Sequence, residues 1–322
     1  MKAAIVQSPG QPPVYGEIAA PLPSPGKSCV TVTAAALSHL VRGRASGRHY
    51  SATGEFPFVV GVDGVGRRED GTRVYFVMPE APFGSMTEHT LVDSARCVAL
   101  PDDLDDVTAA AMANPGMSSW AALVERARLK AGETVLVNGA TGVSGRLAVQ
   151  IAKHLGAGKV IATGRNQDSL REVAAFGADV TIPLVEDGEA LEKTFMAEFA
   201  DGVDVVLDYL WGHSAERLLI AGAKAGQQGR PIRFVEIGAM SGQEITLPGA
   251  VLRSSAIVLM GSGLGSVPLE RFVEAIDGVF RAAVPAGFKI ATRTVPLSQV
   301  ERVWLEPDGA HRIVFTMNGQ AS

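Results

Sequence analysis

Up to about residue 114 the apolar positions fall in short alternating or β-branched runs, such as Ser28-Cys29-Val30-Thr31-Val32-Thr33, Thr72-Arg73-Val74-Tyr75-Phe76-Val77 and Thr90-Leu91-Val92, separated by Gly and Pro. A period of two broken by turn residues predicts an all-β module. After Pro101 the pattern becomes Ala-rich. It predicts a helix over Asp105 to Ala113, a break at Asn114-Pro115-Gly116, and a second helix over Met117 to Leu129. A domain junction is expected there.

Beyond the junction, strand-like and helix-like segments alternate. Strands are expected at Thr134 to Asn138, Val160 to Thr163, Val180 to Ile182, Val203 to Asp208, Arg233 to Ile237 and Ala256 to Met260. Helices are expected at Val143 to Leu155, Gln167 to Phe176 and Glu189 to Phe199. That order implies an α/β fold with a doubly wound parallel sheet. A helix over Pro268 to Arg281 leads to a final stretch, Lys289 to Met317, expected to rejoin the first module. The domains expected are therefore 1–114, 115–262 and a returning segment 263–322.

Composition narrows the function classes. Hydrophobic residues make up 47% and charged residues 20%, with a mean hydropathy of +0.18, so the chain can bury a large core. The balance of 29 basic against 34 acidic residues gives a net charge of −5, without the basic footprint that nucleic acid or anionic lipid demands. The longest uncharged stretch, Val107 to Val124, carries Asn114, Pro115 and Gly116, which argues against a membrane span. The amino terminus has no long apolar signal region, so a cytoplasmic address is expected. Two cysteines, Cys29 and Cys97, are too few for a disulfide framework or a four-cysteine zinc site.

The strongest chemical signal is the strand Thr134-Val135-Leu136-Val137-Asn138 running into Gly139-Ala140-Thr141-Gly142-Val143-Ser144-Gly145 and then a helix with Leu147, Ile151 and Leu155 at i+4 spacing. A pyrophosphate sits against such a helix start, where unpaired N–H groups and the dipole favour anions and glycine leaves clearance. The pattern departs from G-x-G-x-x-G, with Ala140 first, Gly142 second and Gly145 third. A plain structural turn is the alternative. The next expected strand ends in Gly164-Arg165-Asn166, with no acidic residue before Asp168, so Arg165 can pair with a 2′-phosphate and NADPH is the expected cofactor. The competing reading of Arg165 is a solvated turn residue. The candidate cofactor contacts are Ala140, Thr141, Gly142, Val143, Ser144, Gly164, Arg165 and Asn166. Leu210, Ile237, Gly238 and Ser262 join them at the carboxyl ends of later strands.

Several further segments carry a family resemblance. They are Phe56-Pro57-Phe58-Val59-Val60-Gly61-Val62-Asp63-Gly64-Val65-Gly66, Phe83-Gly84-Ser85-Met86-Thr87-Glu88-His89, Asn114-Pro115-Gly116-Met117-Ser118-Ser119-Trp120, Val205-Val206-Leu207-Asp208 and Phe234-Val235-Glu236-Ile237-Gly238. In this order, over nearly the full chain, they resemble the medium-chain dehydrogenase/reductase superfamily and its zinc-independent quinone oxidoreductase branch. The resemblance implies a GroES-like β-barrel catalytic domain and a Rossmann cofactor domain, with Met117 and Arg312 as further cofactor contacts. It also implies a homodimer joined through edge strands, for which Ala256 to Met260 is an apolar candidate.

Zinc-dependent relatives use a Cys and a His-Glu pair where this chain reads Ala36-Leu37-Ser38-His39-Leu40 and Gly61-Val62-Asp63. No metal is expected, and His39 and Asp63 read as a turn residue and a structural carboxylate. The family's Asn-Pro-x-Asp and Arg-x-Gly-x-Tyr runs correspond here to Ser38-His39-Leu40-Val41 and Ser46-Gly47-Arg48-His49-Tyr50. By resemblance, Tyr50 or His49 hydrogen-bonds a substrate carbonyl and Ser38 lies near the nicotinamide. The alternative makes both ring residues ordinary loop positions. The implied function is hydride transfer from NADPH to a small-molecule quinone or activated alkene. A catalytically altered NADPH-binding redox sensor and a metal-dependent alcohol dehydrogenase are the competing readings.

Overall fold

The long strand Lys27–Ala36 organises the first part of the chain: it pairs antiparallel with Asp63–Arg68, His89–Asp93 and Arg312–Thr316. A computed structural model describes residues 1–52, 55–185, 188–306, 309 and 311–317, so parts of the returning segment 263–322 lie outside the described residues. Among those described, the chain divides into two compact units, Met1–Asn114 with Ile276–Ser322, and Pro115–Ala275.

The first unit holds a seven-stranded and a three-stranded sheet. Several of its strands, Lys2–Val6, Asp63–Arg68, Arg73–Val77 and Arg312–Thr316, are buried over four consecutive residues, and Val6, Ala35, Leu37, Met86, Val300 and Phe315 form one apolar cluster. The returning strands Thr292–Pro296 and Arg312–Thr316 extend the larger sheet. This is the GroES-like β unit. A seven-residue helix, His39–Ala45, interrupts it and was not anticipated.

In the second unit six strands are parallel throughout. Their order is Val180–Pro183, Lys159–Gly164, Thr134–Asn138, Val205–Asp208, Ile232–Glu236 and Ile257–Gly261. In sequence order this reads 3-2-1-4-5-6, the Rossmann arrangement. Val135, Leu136, Val137, Val205, Val206 and Leu207 are fully buried, as central strands covered on both faces require. The order reverses between Thr134–Asn138 and Val205–Asp208, the switch point at whose carboxyl ends doubly wound sheets place their ligands.

Two expectations are corrected. The helix Asp106–Ala121 runs through Asn114-Pro115-Gly116 without the expected break and ends in a π-helical turn, Ala122–Arg126. The helix continues although Pro115 has no N–H to give the Ala111 carbonyl, and one turn later the hydroxyls of Ser118 and Ser119 both donate to the Pro115 carbonyl at 2.9 Å. The second boundary falls at Ala275, later than the expected 262, because Leu264, Val267, Phe272 and Ala275 pack against Met117, Trp120 and Ala121. Among the described residues no helix is long and apolar enough to cross a membrane.

Candidate active site

The strand Thr134–Asn138 leaves the sheet through Gly139, whose φ of +90° only glycine adopts cheaply. A Cβ there would also lie 2.9 Å from the Leu210 side chain. The tight-turn role expected at the first fingerprint position thus falls one residue before Ala140. Gly145 permits helix and turn to touch: a Cβ would come within 2.3 Å of the Gly139 carbonyl oxygen. Gly164 does the same on the next strand, where a Cβ would meet Thr141 at 2.3 Å. Gly142 differs, since its nearest heavy atom would be 3.8 Å away.

Gly142 is also the N-cap of the helix Val143–His154, and no side chain among the described residues caps that helix. The amides of its first turn, from Val143 and Ser144 onward, have no intrahelical acceptors. Arg146 steadies the turn by donating Nε to the Thr141 carbonyl at 3.0 Å and pairing with Glu172.

Beneath the turn lies a buried polar network that sequence reasoning missed. Asn138 Nδ2 donates to Asp208 Oδ1 at 2.8 Å and to Ser214 Oγ at 2.9 Å. Thr163 Oγ1 donates to Asn138 Oδ1 at 2.7 Å and accepts from the Gly139 amide at 3.1 Å. Asp208 also accepts from the Leu210 amide at 3.0 Å and from the Trp211 amide at 3.2 Å. Burial pushes its carboxyl up to about 6 despite these donors. Trp211, at φ 56° and ψ −158°, occupies a region that costs a side-chain-bearing residue about 1–3 kcal/mol, and the Asp208 carboxylate clamps it there. The only sequence signal was a polar residue closing each of two apolar strands, Asn138 and Asp208.

At the carboxyl ends of the remaining strands, the amides of Ile237 and Gly238 donate to the Asp208 carbonyl at 2.8 and 3.2 Å. The buried Ser262 hydroxyl has no hydrogen-bond partner among the described residues. Arg165 is exposed and pairs with no carboxylate among them, while the neighbouring Asp168 is engaged by Arg171. Asn166 caps the helix Gln167–Ala175, its Oδ1 accepting from the Ser169 amide at 2.8 Å. Met117 is half-buried against Ala121 and Phe272.

In the first unit, Ser38 is buried and its Oγ accepts from the Val41 amide at 3.2 Å, capping the helix His39–Ala45. His49 and Tyr50 come together, with ring centroids 4.2 Å apart. His49 Nδ1 accepts from the Ser51 amide at 3.2 Å, which puts the proton of the neutral ring on Nε2. Burial, and then the Arg44 charge, hold its imidazole below the usual range. Tyr50 is 71% exposed. Arg312 is buried and donates Nη1 to the Leu37 carbonyl at 3.1 Å, immediately before Ser38.

Asp63 is fully buried and accepts from Tyr75 O–H at 2.9 Å, with its carboxyl pushed up to about 6 by burial. His39 is exposed. Among the described residues no three His, Cys, Asp or Glu side chains are grouped to hold a metal.

In the second unit, the clearance at Gly142 and the uncapped first turn fit the pyrophosphate of a dinucleotide, and the unpaired Arg165 fits a ribose phosphate.

Comparison with known proteins gives a consistent picture. Residues 144–281 match the zinc-binding dehydrogenase family model. The probable NADPH-dependent quinone reductase tdiC of Emericella nidulans is 31% identical, over 96% of this chain and 97% of that protein. A 2-haloacrylate reductase from a Burkholderia species is 29% identical, over 76% of this chain and 80% of its own length. Among solved structures, the quinone oxidoreductase of Thermus thermophilus, studied also as its NADPH complex, superposes with a TM-score of 0.81 at 25% identity, over 98% of this chain and all of that one.

Proposed function

From the premise that the chain belongs to the medium-chain dehydrogenase/reductase superfamily, in its quinone oxidoreductase branch, we propose that it reduces a quinone or an activated alkene. The chain is an NADPH oxidoreductase. One observation supports the cofactor site most directly: the helix Val143–His154 starts at an open glycine with its first amides uncapped.

When bound, NADPH supplies a hydride. The amides of Val143 and Ser144, with the clearance at Gly142, hold the pyrophosphate, and Ala140 and Thr141 form the floor. Arg165 pairs with the 2′-phosphate, flanked by Gly164 and Asn166. Leu210, Ile237, Gly238, Ser262, Met117 and Arg312 complete the assigned contacts. On the substrate side, His49 Nε2–H and Tyr50 O–H donate to the carbonyl oxygen where negative charge develops. Ser38 keeps a hydroxyl proton to donate while its oxygen caps the helix.

The names of the relatives support both acceptor classes, a quinone and a conjugated haloacrylate. The proposal includes a cytoplasmic homodimer joined along Ile257–Gly261, an edge strand on which Val258 and Leu259 are exposed. A second reading, an NADPH-binding sensor, draws on the Ser38 hydroxyl serving as a cap and on the exposure of Tyr50. Following NADPH absorbance with a panel of benzoquinones, naphthoquinones, enones and enals tests both. Steady consumption with one class supports the reductase. Tight binding without consumption across the panel sinks it in favour of the sensor.

A further inference from the structure

A half-open cavity of about 290 Å³ lies wholly within the first unit, at the lower end of ligand-pocket size, with apolar side chains and the charged Arg44, Glu80 and Arg96 in its lining. Phe56, Phe58, Phe83 and Val60 line it. Two guanidinium groups converge on Met78 in the same lining: Arg96 Nη1 donates to its carbonyl at 3.0 Å and Arg44 Nη1 to its sulfur at 3.1 Å. Arg96 has a carboxylate nearby, Glu80 at 3.8 Å, although Glu80 binds Lys27 more closely, at 2.7 Å.

Arg44 has none among the described residues. It is half-buried, and burial lowers its pKa with no carboxylate opposing. A guanidinium offers five N–H donors, and a thioether is a weak acceptor. A cation in apolar surroundings without a counter-charge is costly. Position, charge and apolar walls therefore ask for an anion attached to an apolar body.

We propose that this cavity binds a small amphipathic carboxylate, its ring or chain against Phe56, Phe58 and Phe83 and its carboxylate forked onto Arg44. Planar pairing of carboxylate with guanidinium gives both strength and orientation. Gly47 and Ala52 of the same lining flank His49 and Tyr50 in sequence. The carboxylate belongs either to the reduced substrate itself or to a separate effector. The binding claim does not rest on the cofactor assignment.

Calorimetry on the full-length protein without NADPH, using cinnamate, 3-phenylpropanoate and cinnamamide, tests it. Both acids are expected to bind about tenfold or more tightly than the amide, the increment of a charge-assisted hydrogen bond. Arg44→Gln should bring the acid-to-amide ratio close to one, and Arg44→Lys should restore part of it. Equal affinities for acid and amide in the unaltered protein overturn the proposal, whatever the variants do. So does an unchanged ratio in Arg44→Gln with an unaltered melting temperature. NADPH oxidation by cinnamate, with competition from 3-phenylpropanoate, identifies the carboxylate as the substrate's own. A changed quinone-reduction rate without competition identifies an effector. Loss of NADPH binding in a parallel titration would count against the proposed function and leave this site standing.

Discussion

Two helices begin at the two halves of the proposed chemistry, and they begin differently. At Ser38 a buried hydroxyl accepts the Val41 amide, so the start of His39–Ala45 has spent part of its donor capacity internally. At Gly142 the start of Val143–His154 has no side chain to accept anything. The buried carboxylates repeat the contrast. Asp208 gathers Asn138, Leu210 and Trp211, whereas Asp63 takes one bond from Tyr75 and leaves Oδ1 without a partner among the described residues. In the second unit the side chains satisfy one another below the turn and leave backbone donors for a ligand. In the first, the proposed recognition falls to side chains.

Erasing the contrast outright should have the largest effect. Gly142 has ordinary backbone angles, φ −75° and ψ 166°, and open space, so Gly142→Asp should fold and supply the missing cap. We expect a slightly more stable apoprotein, by roughly a few tenths of a kcal/mol, in thermal denaturation. The same carboxylate competes with pyrophosphate for the amides, and NADPH affinity by calorimetry should fall roughly a hundredfold. Unchanged affinity would remove the helix start from the site.

Asp63→Asn sharpens the comparison of carboxylates. Because its folded value, about 6, lies above the ordinary one near 3.8, Asp63 binds its proton more tightly when folded. Its contribution therefore favours folding at low pH and is lost as pH rises from about 4 through 6. An asparagine can still accept from Tyr75 without the charge. The variant should gain on the order of 2–3 kcal/mol at pH 8 and almost nothing at pH 4, read from denaturant melts at both.

Arg165→Asp asks whether the exposed cation beside the open helix selects the phosphorylated cofactor. The ratio of NADPH to NADH affinity should drop about tenfold or more. A constant ratio would leave Arg165 a solvated turn residue. The smallest expected effect is Ser38→Ala, about 1 kcal/mol of stability from the lost cap. If turnover falls much further than stability explains, its hydroxyl has a second role beyond the cap.

Much of the second unit was legible because each central strand is a short, uninterrupted apolar run, and the glycine turn joins one such strand directly to a periodic helix. The network under that turn was not, because Asn138, Thr163, Asp208 and Ser214 are distant in sequence and meet only when the sheet assembles. Local rules misread Pro115 as a break, although a helix loses only one backbone hydrogen bond at a proline and here its Ala109 to Ala113 and Ala121 are fully buried in the packing that holds it. The helix His39–Ala45 escaped notice because seven residues hold too few turns for a periodic signal. The glycine with positive φ was displaced by one position from the fingerprint, which motif matching cannot detect and backbone geometry can.

The pairing of Arg312–Thr316 with Lys27–Ala36 has a consequence for synthesis. The second unit, Pro115–Ala275, is one unbroken span and can acquire its structure while the ribosome is still at work. The first unit cannot close its larger sheet until Arg312–Thr316 has been made, so a chain cut between Ala275 and Arg312 should hold an assembled Rossmann unit and an unfinished first unit with an exposed strand edge.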